Sequence, residues 1–180
     1  PYRARYITPD YEVFMKQGSK FLELEPAKDI WEATTNLLIL YNHVPSITSY
    51  PVYLGNIDML LEPYIKNEEE AYKAIKLFLL QIDRTITDSF CHANLGPEKT
   101  KAGEMILRAT VELNTMTPNL TLKYDEDITP DDFAIQCVET SLKVAKPSFS
   151  NYKMFQKDFY GKDYAIASCY NGLSIGGGAY

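Results

Sequence analysis

Residues 119–149, NLTLKYDEDITPDDFAIQCVETSLKVAKPSF, place a helix between two strand-like segments and so decide the fold class. Residues 119–124 predict a strand, Thr129 begins a helix, and residues 147–149 predict the next strand. Consecutive strands that are joined through a helix lie parallel in one sheet, so this stretch predicts an α/β fold. The residues expected on the inner face of the helix are Ala134, Cys137, Val138, Ser141, Leu142 and Ala145.

The same alternation continues on both sides of this stretch, after an irregular lead-in over residues 1–26. Helices are predicted over 29–41 with a stop at Pro45, from an Asn67–Glu70 capping pair, from Pro97 and from Thr129. Strands are predicted at 46–54, 89–95, 119–124, 147–149 and 164–167. The last of these is apolar throughout, as expected for a strand covered on both faces. About five parallel strands fit an open sheet or half of a barrel.

Composition excludes several classes of protein. The chain has 180 residues and a net charge of −6, which argues against a nucleic-acid or anionic-membrane partner because both need clustered Lys and Arg. Its apolar runs are too short to span a bilayer, and no signal peptide opens it. Three widely spaced cysteines do not form a disulfide framework, so we expect a reducing, cytoplasmic location.

The ends of the chain suggest either a single domain over 1–180 or a fragment of a longer protein. The sequence begins at Pro1 without Met and stops at Tyr180 inside an apolar, Gly-rich segment. We expect a piece of a longer protein.

Familiar site motifs are weak in this sequence. The glycines at 176–178 lack the Lys-Ser/Thr ending of a phosphate loop and the spacing of a dinucleotide fingerprint. His43 and His92 are the only histidines, and neither belongs to a paired spacing typical of zinc ligands, so no metal is expected. No nucleophile-elbow sequence is present.

The three cysteines differ in their setting. Cys137 lies on an apolar helix face, which favours a core position, and Cys91 in a strand is ambiguous. Cys169 follows the apolar strand 164–167 and precedes a turn, at the kind of strand end where α/β proteins build their sites. It is the thiol with the best claim to a function, and a buried small residue is the alternative.

Five segments, in order, resemble the glycyl radical enzymes, the superfamily of pyruvate formate-lyase. Residues 163–169, DYAIASC, closely resemble the active-site cysteine segment, and residues 118–121, PNLT, and 146–151, KPSFSN, are similar to two of its strands. Residues 51–58, PVYLGNID, and 88–94, DSFCHAN, look most like the YjjI-type branch. Each motif is weak alone, but the resemblance covers nearly the whole chain.

The resemblance implies the first half of a ten-stranded α/β barrel, which is built from two halves of five parallel strands. The half-barrel of strands and helices would occupy residues 27–170. The cysteine finger loop and the start of the next segment would occupy residues 168–180. This expectation agrees with the count of about five strands.

The resemblance also implies a radical mechanism. A thiyl radical at Cys169 would abstract hydrogen from a small organic substrate, inside a barrel that keeps out water and oxygen. The radical would be stored on a glycine outside this chain, where a radical-SAM activating enzyme installs it, and no tightly bound cofactor is expected. A homodimer is left open. The polar residues expected to orient the substrate are Asn171, Asn119, His92, Asn94 and Tyr53.

Departures from the better-known branches narrow the chemistry. Ser168 stands where pyruvate formate-lyase has the first of two adjacent cysteines, which argues against thioester chemistry. Asn171 stands where the dehydratases and decarboxylases have a Glu, and an amide cannot take up a proton at neutral pH. No segment resembles the Arg-Val-x-Gly-Tyr sequence around the radical glycine, so the glycines at 176–178 are not given that role.

Two other interpretations stay open. An anaerobic ribonucleotide reductase-like enzyme would use the same barrel and a single cysteine, but would need nucleotide-binding regions that this segment does not show. A non-catalytic, truncated interaction module would expose two strand edges and an apolar inner face, and should aggregate or dimerise when alone.

Overall fold

The structure is a computed structural model that describes residues 7–48, 53–85, 91–158, 164–167 and 171–174, the last two ranges through their backbone. Its helices are α1 (Tyr11–Gln17), α2 (Ile30–Thr48), α3 (Ile57–Leu61), α4 (Glu68–Arg84), α5 (Lys101–Leu113), α6 (Asp131–Val144) and α7 (Tyr152–Asp158). Its strands are β1 (Tyr53–Asn56), β2 (His92–Leu95), β3 (Asn119–Tyr124), β4 (Ser148–Asn151), β5 (Tyr164–Ala167) and β6 (Asn171–Ser174). A short 3₁₀ helix, Glu62–Tyr64, follows α3.

Strands β1 to β4 form one parallel sheet in the order β1-β2-β3-β4, and every connection between neighbours contains a helix. This confirms the predicted α/β class and is consistent with part of a barrel. Strand β3 has the predicted bounds. Of the strand predicted at 46–54, residues 46–48 belong to α2 and residues 53–54 to β1, and of the strand predicted at 89–95, residues 92–95 form β2. Residues 49–52 and 89–90 lie outside the described residues. The backbone N–H of Tyr53 donates to the carbonyl of Ile7 at 3.0 Å, so the lead-in segment lies along the outer edge of β1.

The fifth predicted strand forms, but not in the parallel sheet. Strand β5 pairs antiparallel with β6 in a separate hairpin, with Ala167 opposite Asn171. Only residues 168–170 connect the two strands, and so short a connection allows antiparallel but not parallel pairing. The predicted finger-loop segment, 168–180, is described only over β6, and Cys169 lies outside the described residues.

The four parallel strands have one polar and one apolar face, because side chains alternate along a strand. The polar face, as we call it, consists of Tyr53, His92, Asn94, Asn119, Thr121, Lys123, Ser148 and Ser150. The opposite face contributes Leu54, Ala93, Leu95, Leu120 and Leu122 to the hydrophobic core beneath the helices. The expectation of an apolar inner face is therefore wrong. The face that is not covered by the helices is polar, because these apolar strand residues pack beneath the helices.

Helix α4 begins where the capping pattern predicts. The side-chain oxygen of Asn67 accepts the backbone N–H of Glu70 at 2.9 Å, and the three acidic residues that follow Asn67 lie in the first turn, where the helix dipole favours negative charge. The buried face of α4 consists of Ala71, Ala74, Ile75, Phe78, Leu79 and Ile82.

Helix α6 turns a different face to the core than predicted. Cys137 is buried as expected, but Val138, Leu142 and Ala145 are exposed. Phe133 and Thr140 are buried instead. Thr140 is buried at low cost because its hydroxyl donates to the carbonyl of Gln136 at 2.7 Å. The prediction weighted hydrophobicity and so missed a buried threonine.

Two prolines mark helix boundaries differently from the prediction. Pro45 was expected to end α2, but the helix continues to Thr48. In this last turn the hydroxyls of Ser46 and Thr48 donate to the carbonyls of His43 and Val44, at 2.6 and 2.7 Å. These bonds reinforce the turn that contains Pro45, whose missing N–H removes one backbone hydrogen bond from the helix.

The third long helix, α5, begins at Lys101 rather than at Pro97, because Thr100 is its cap. The Thr100 hydroxyl oxygen accepts the backbone N–H of Gly103 at 2.9 Å.

The lead-in contains a helix that the sequence reasoning missed. Helix α1 is capped by Asp10, whose carboxylate accepts the backbone N–H of Val13 at 3.1 Å. Tyr11 and Phe14 are buried and join the core. The signal for this helix was an Asp cap before an apolar pair, in a segment too short for a clear period.

Gly103 tests the packing of α5 against α6. A Cβ at this position would lie 3.1 Å from the ring of Phe133 and 3.0 Å from the hydroxyl of Thr100. Phe133 is fully buried and Thr100 is held by its cap bond, so neither can easily move away. We expect Gly103→Ala to lower the melting temperature of the full-length protein by about 1 °C, the effect of roughly 1 kcal/mol of overpacking in a protein much longer than this chain. Helix propensity alone predicts that Gly103→Ala raises the melting temperature, and such a rise would contradict this close packing.

Candidate functional site

The polar face is the candidate site, because it gathers four of the residues predicted to orient a substrate. Tyr53, His92, Asn94 and Asn119 all lie on it, across three neighbouring strands. Tyr53, His92 and Asn94 are buried, and Asn119 is half-buried. Buried polar side chains are costly unless they are satisfied, so their concentration on one face of a sheet is typical of a site rather than of packing.

These residues do not cluster at the carboxyl ends of the strands. Tyr53, His92 and Asn119 are in register and each is the first residue of its strand. Asn94 lies two residues further on, inside β2. The site therefore runs along the face of the sheet.

Because the helices pack on the apolar face of the sheet, we infer that the β5–β6 hairpin lies over part of the polar face. Strand β5 packs against both β1 and β2, on which Tyr53, His92 and Asn94 lie. Residues 168–170, which include Cys169, connect the two strands of this hairpin. Asn171 is the first residue of β6 and pairs with Ala167, and its side chain is outside the described part of the structure.

A hydrogen-bonded pair stabilises the centre of the polar face. The phenol of Tyr53 donates to the side-chain oxygen of Asn94, which is fully buried. The phenol of Tyr11 donates in turn to the carbonyl of Tyr53. This relay runs from α1 through β1 to β2 and holds the Asn94 amide in one orientation.

Four residues in register form what we call the polar row: Asn56, Asn94, Thr121 and Ser148. The row crosses all four parallel strands, and the hydroxyls of Thr121 and Ser148 lie 2.9 Å apart in a hydrogen bond. Asn56, Thr121 and Ser148 were missed by the sequence reasoning. The available signal was the alternation of polar and apolar residues in β2, β3 and β4, which a search for strand-end residues overlooks.

Asp58 and Lys123 add two buried charges near the carboxyl ends of the strands, and both were also missed. Asp58 follows β1 and is fully buried, and its carboxylate accepts the backbone N–H groups of Gly96 and Met59, each at 2.8 Å. Burial raises the pKa of Asp58 to about 7, while these bonds and the charge of Lys123 oppose the rise. Lys123 is buried on the polar face of β3.

Burial also decides the state of His92. Desolvation lowers the pKa of its imidazole below the ordinary value, because a charged ring is disfavoured away from water. His92 is therefore a neutral hydrogen-bonding group at pH 7.

The two described cysteines are core residues. Cys91 and Cys137 are both fully buried, and burial raises the pKa of each thiol, to about 12 for Cys137. Neither thiol ionises near neutral pH, so neither is suited to thiolate chemistry.

Where the chain is described, no cluster of three or more His, Cys, Asp or Glu side chains is arranged to hold a metal ion. Nor does any helix in the described ranges have the length and apolar character that crossing a membrane requires.

Comparison with known proteins identifies relatives over the whole chain. The family model described as glycyl radical enzyme YjjI-like matches residues 1–180. An uncharacterized protein of Haemophilus influenzae is 55% identical over 179 residues, which are 99% of this chain and 35% of that protein. The uncharacterized protein YjjI of Escherichia coli is 46% identical over 180 residues, again 99% of this chain and 35% of the relative. The chain thus spans about a third of the length of these curated relatives.

Asp58 predicts a pH dependence of stability. Its pKa is about 7 in the folded protein against the ordinary 3.8 of an aspartic acid in the unfolded chain, so the folded state binds the proton more tightly and stability falls as the pH rises from about 4 to 7. Relative to Asp58→Asn, we expect the parent full-length protein to lose about 3 kcal/mol of stability between pH 5 and pH 8. Thermal melting of both proteins across this range measures the difference.

Asp132→Asn is the matched control, because Asp132 is an exposed carboxylate whose pKa is lowered by Lys99. Its difference from the parent should stay constant from pH 5 to pH 8. A constant difference for Asp58→Asn as well would contradict the raised pKa.

Proposed function

Because the chain belongs to the YjjI-like glycyl radical enzyme family, we propose that it is the cysteine-bearing part of a radical enzyme's barrel. In this proposal Cys169 carries a thiyl radical and abstracts hydrogen from a small organic substrate. The substrate lies against the polar face of the sheet.

The observation that carries the proposal is the position of the hairpin. The strands that flank Cys169 form a finger, and its first strand packs on β1 and β2. Tyr53, His92 and Asn94 on these two strands are buried. This arrangement supports a radical site, because a reactive sulfur needs a neighbouring surface that holds substrate and excludes water.

In the proposed reaction, a single hydrogen atom passes to and from the sulfur of Cys169. The Cys169 S–H bond breaks homolytically, and its hydrogen atom passes to a glycyl radical elsewhere in the protein, which leaves a sulfur radical. The sulfur radical takes a hydrogen atom from a substrate C–H bond, which restores S–H and leaves a carbon radical. After rearrangement the product radical takes the hydrogen back, so Cys169 is regenerated.

The described residues narrow the acid–base chemistry. His92 is neutral, and the polar row has only amides and hydroxyls. Asn171, two residues after Cys169, has an amide side chain and cannot donate a proton as an acid at that position would. Asp58 is the described carboxyl group near the sheet whose pKa lies close to 7. Thioester transfer is disfavoured because Ser168 precedes Cys169.

The rest of the barrel would come from the part of the protein that this chain does not span. Strand β4 is the last strand of the parallel sheet, and Phe149 on its apolar face is 46% exposed. In register with it, Leu122 of β3 is fully buried beneath the helices. An additional strand and helix beside β4 would cover Phe149, which supports continuation of the barrel on this side. A radical-SAM activase is the partner that would generate the glycyl radical.

Cys169→Ser tests the radical role without knowledge of the substrate. S–H hydrogens exchange with water, so transfer between Cys169 and the glycyl radical carries solvent deuterium onto the glycine. In the anaerobically activated full-length protein in D₂O, the EPR splitting from the glycine α-hydrogen should collapse with time. We expect Cys169→Ser to form the glycyl radical but to keep this splitting.

Cys137→Ala is the control, because Cys137 is a buried residue of α6. It should exchange like the parent and lower only the melting temperature. Undiminished deuterium exchange in Cys169→Ser would remove Cys169 from the mechanism.

A further inference from the structure

We propose that the polar row binds the hydroxyl groups of an uncharged polyhydroxy substrate, and that Asn56 accepts a hydrogen bond from one of them. This inference rests on the proposed function, since it names a substrate class for the same surface. It assigns a binding role to three residues that the sequence analysis did not name as site residues: Asn56, Thr121 and Ser148.

A β-bulge brings Asn56 into the row. From Tyr53 to Asn56 the chain advances three residues, whereas the facing stretch of β2, from His92 to Asn94, advances two. Gly55 lies within this irregular stretch and has a φ of +68°, a conformation that residues with a Cβ rarely adopt. Without the bulge, alternation would place residue 56 on the apolar face, and bulges commonly re-aim side chains at functional sites.

The side-chain oxygen of Asn56 is a buried acceptor that lacks a hydrogen-bond donor among the described residues. Asn56 precedes α3, but its side chain does not cap that helix. By contrast, the Asn67 side chain caps α4, and the Asn36 amide donates to the carbonyl of Glu25 at 3.0 Å. A buried acceptor without a donor costs free energy, and a ligand hydroxyl would remove that cost.

The charges around the row favour an uncharged ligand. All four members of the row are amides or alcohols, and His92 beside them is neutral because burial lowers its pKa. Lys123 is the cation on the described part of the polar face, and the carboxyl group of Asp58 interacts with its charge. A phosphate or carboxylate is typically bound by several cationic groups, and none of the four side chains of the row carries a charge.

The spacing of the row suits several hydroxyls in one molecule. Neighbouring strands lie about 4.8 Å apart, so the four side chains span about 14 Å. Asn94 and Thr121 are nearly fully buried at the centre, whereas Asn56 is half-buried and Ser148 is exposed, so the row is reachable from its ends. A short polyol carries hydroxyls on successive carbons and can bond side chains of adjacent strands together.

The test is binding of a matched pair of probes to the full-length protein without activation. Erythritol and erythronate have the same carbon chain and differ in that one end is an alcohol or a carboxylate. We expect ligand-detected NMR titration to show binding of erythritol and at least tenfold weaker binding of erythronate. Asn56→Leu, which removes the acceptor, should weaken erythritol binding about tenfold.

Two further variants keep the test decisive. Thr121→Val keeps the shape of the side chain but removes one hydroxyl of the row, and should weaken erythritol binding several-fold even if Asn56→Leu fails to fold. Asn42→Leu is the control, because Asn42 is exposed on α2 and its amide bonds the carbonyl of Leu38. Its affinity should equal that of the parent.

Three results would overturn the inference: no binding of either probe, erythronate binding as tightly as erythritol, or parental affinity in a folded row variant. Because no radical is needed, these results are independent of the EPR test of Cys169. Erythritol binding with no effect of Cys169→Ser on deuterium exchange would refute the radical role and leave the binding site intact. The reverse pair of results would refute the substrate class alone.

Discussion

In-register pairing of four parallel strands separates the polar from the apolar side chains, and the other features of the structure depend on it. One face carries His92 and Asn94 of β2, which are two residues apart. It also carries Asn119 and Thr121 of β3, which lie directly opposite them. A shift of one residue in any strand would exchange its faces and expose leucines that now pack beneath the helices. The hydrophobic core therefore determines the register, and the register assembles the polar face.

A buried polar face has to be satisfied from within, and the chain does so in several ways. The Tyr53 phenol bonds Asn94, the hydroxyls of Thr121 and Ser148 bond each other, and the β5–β6 hairpin covers two of the strands. Asp58 ties the end of β1 to the backbone of Gly96 at the end of β2. A polar surface that is held by internal bonds and largely buried is suited to the radical reaction that we propose.

Local signals in the sequence predicted the elements better than their faces. The Asn67 cap and strand β3 were found because capping bonds and short β-rich runs depend on neighbouring residues. Helix α1 was missed because a short apolar pair shows no clear period. Pro45 was misjudged because a proline removes only one backbone N–H, and the turn around it is reinforced by the hydroxyls of Ser46 and Thr48. The inner face of α6 was wrong because Thr140 is buried through a bond to its own helix.

By itself, the sequence determined the α/β class, the order of strands and helices, and the family, because strand and helix periods and the cysteine segment are local patterns. It also named Tyr53, His92, Asn94 and Asn119 as candidates. Only the tertiary structure decided that these residues share one face with Thr121 and Lys123, that Asn56 joins them, and that β5 turns back as a hairpin. The shared face and the position of Asn56 depend on strand register and on one bulge at Gly55, which arise from pairing between segments far apart in the chain. The hairpin depends on pairing between neighbouring strands, which the apolar pattern of β5 does not distinguish from parallel pairing.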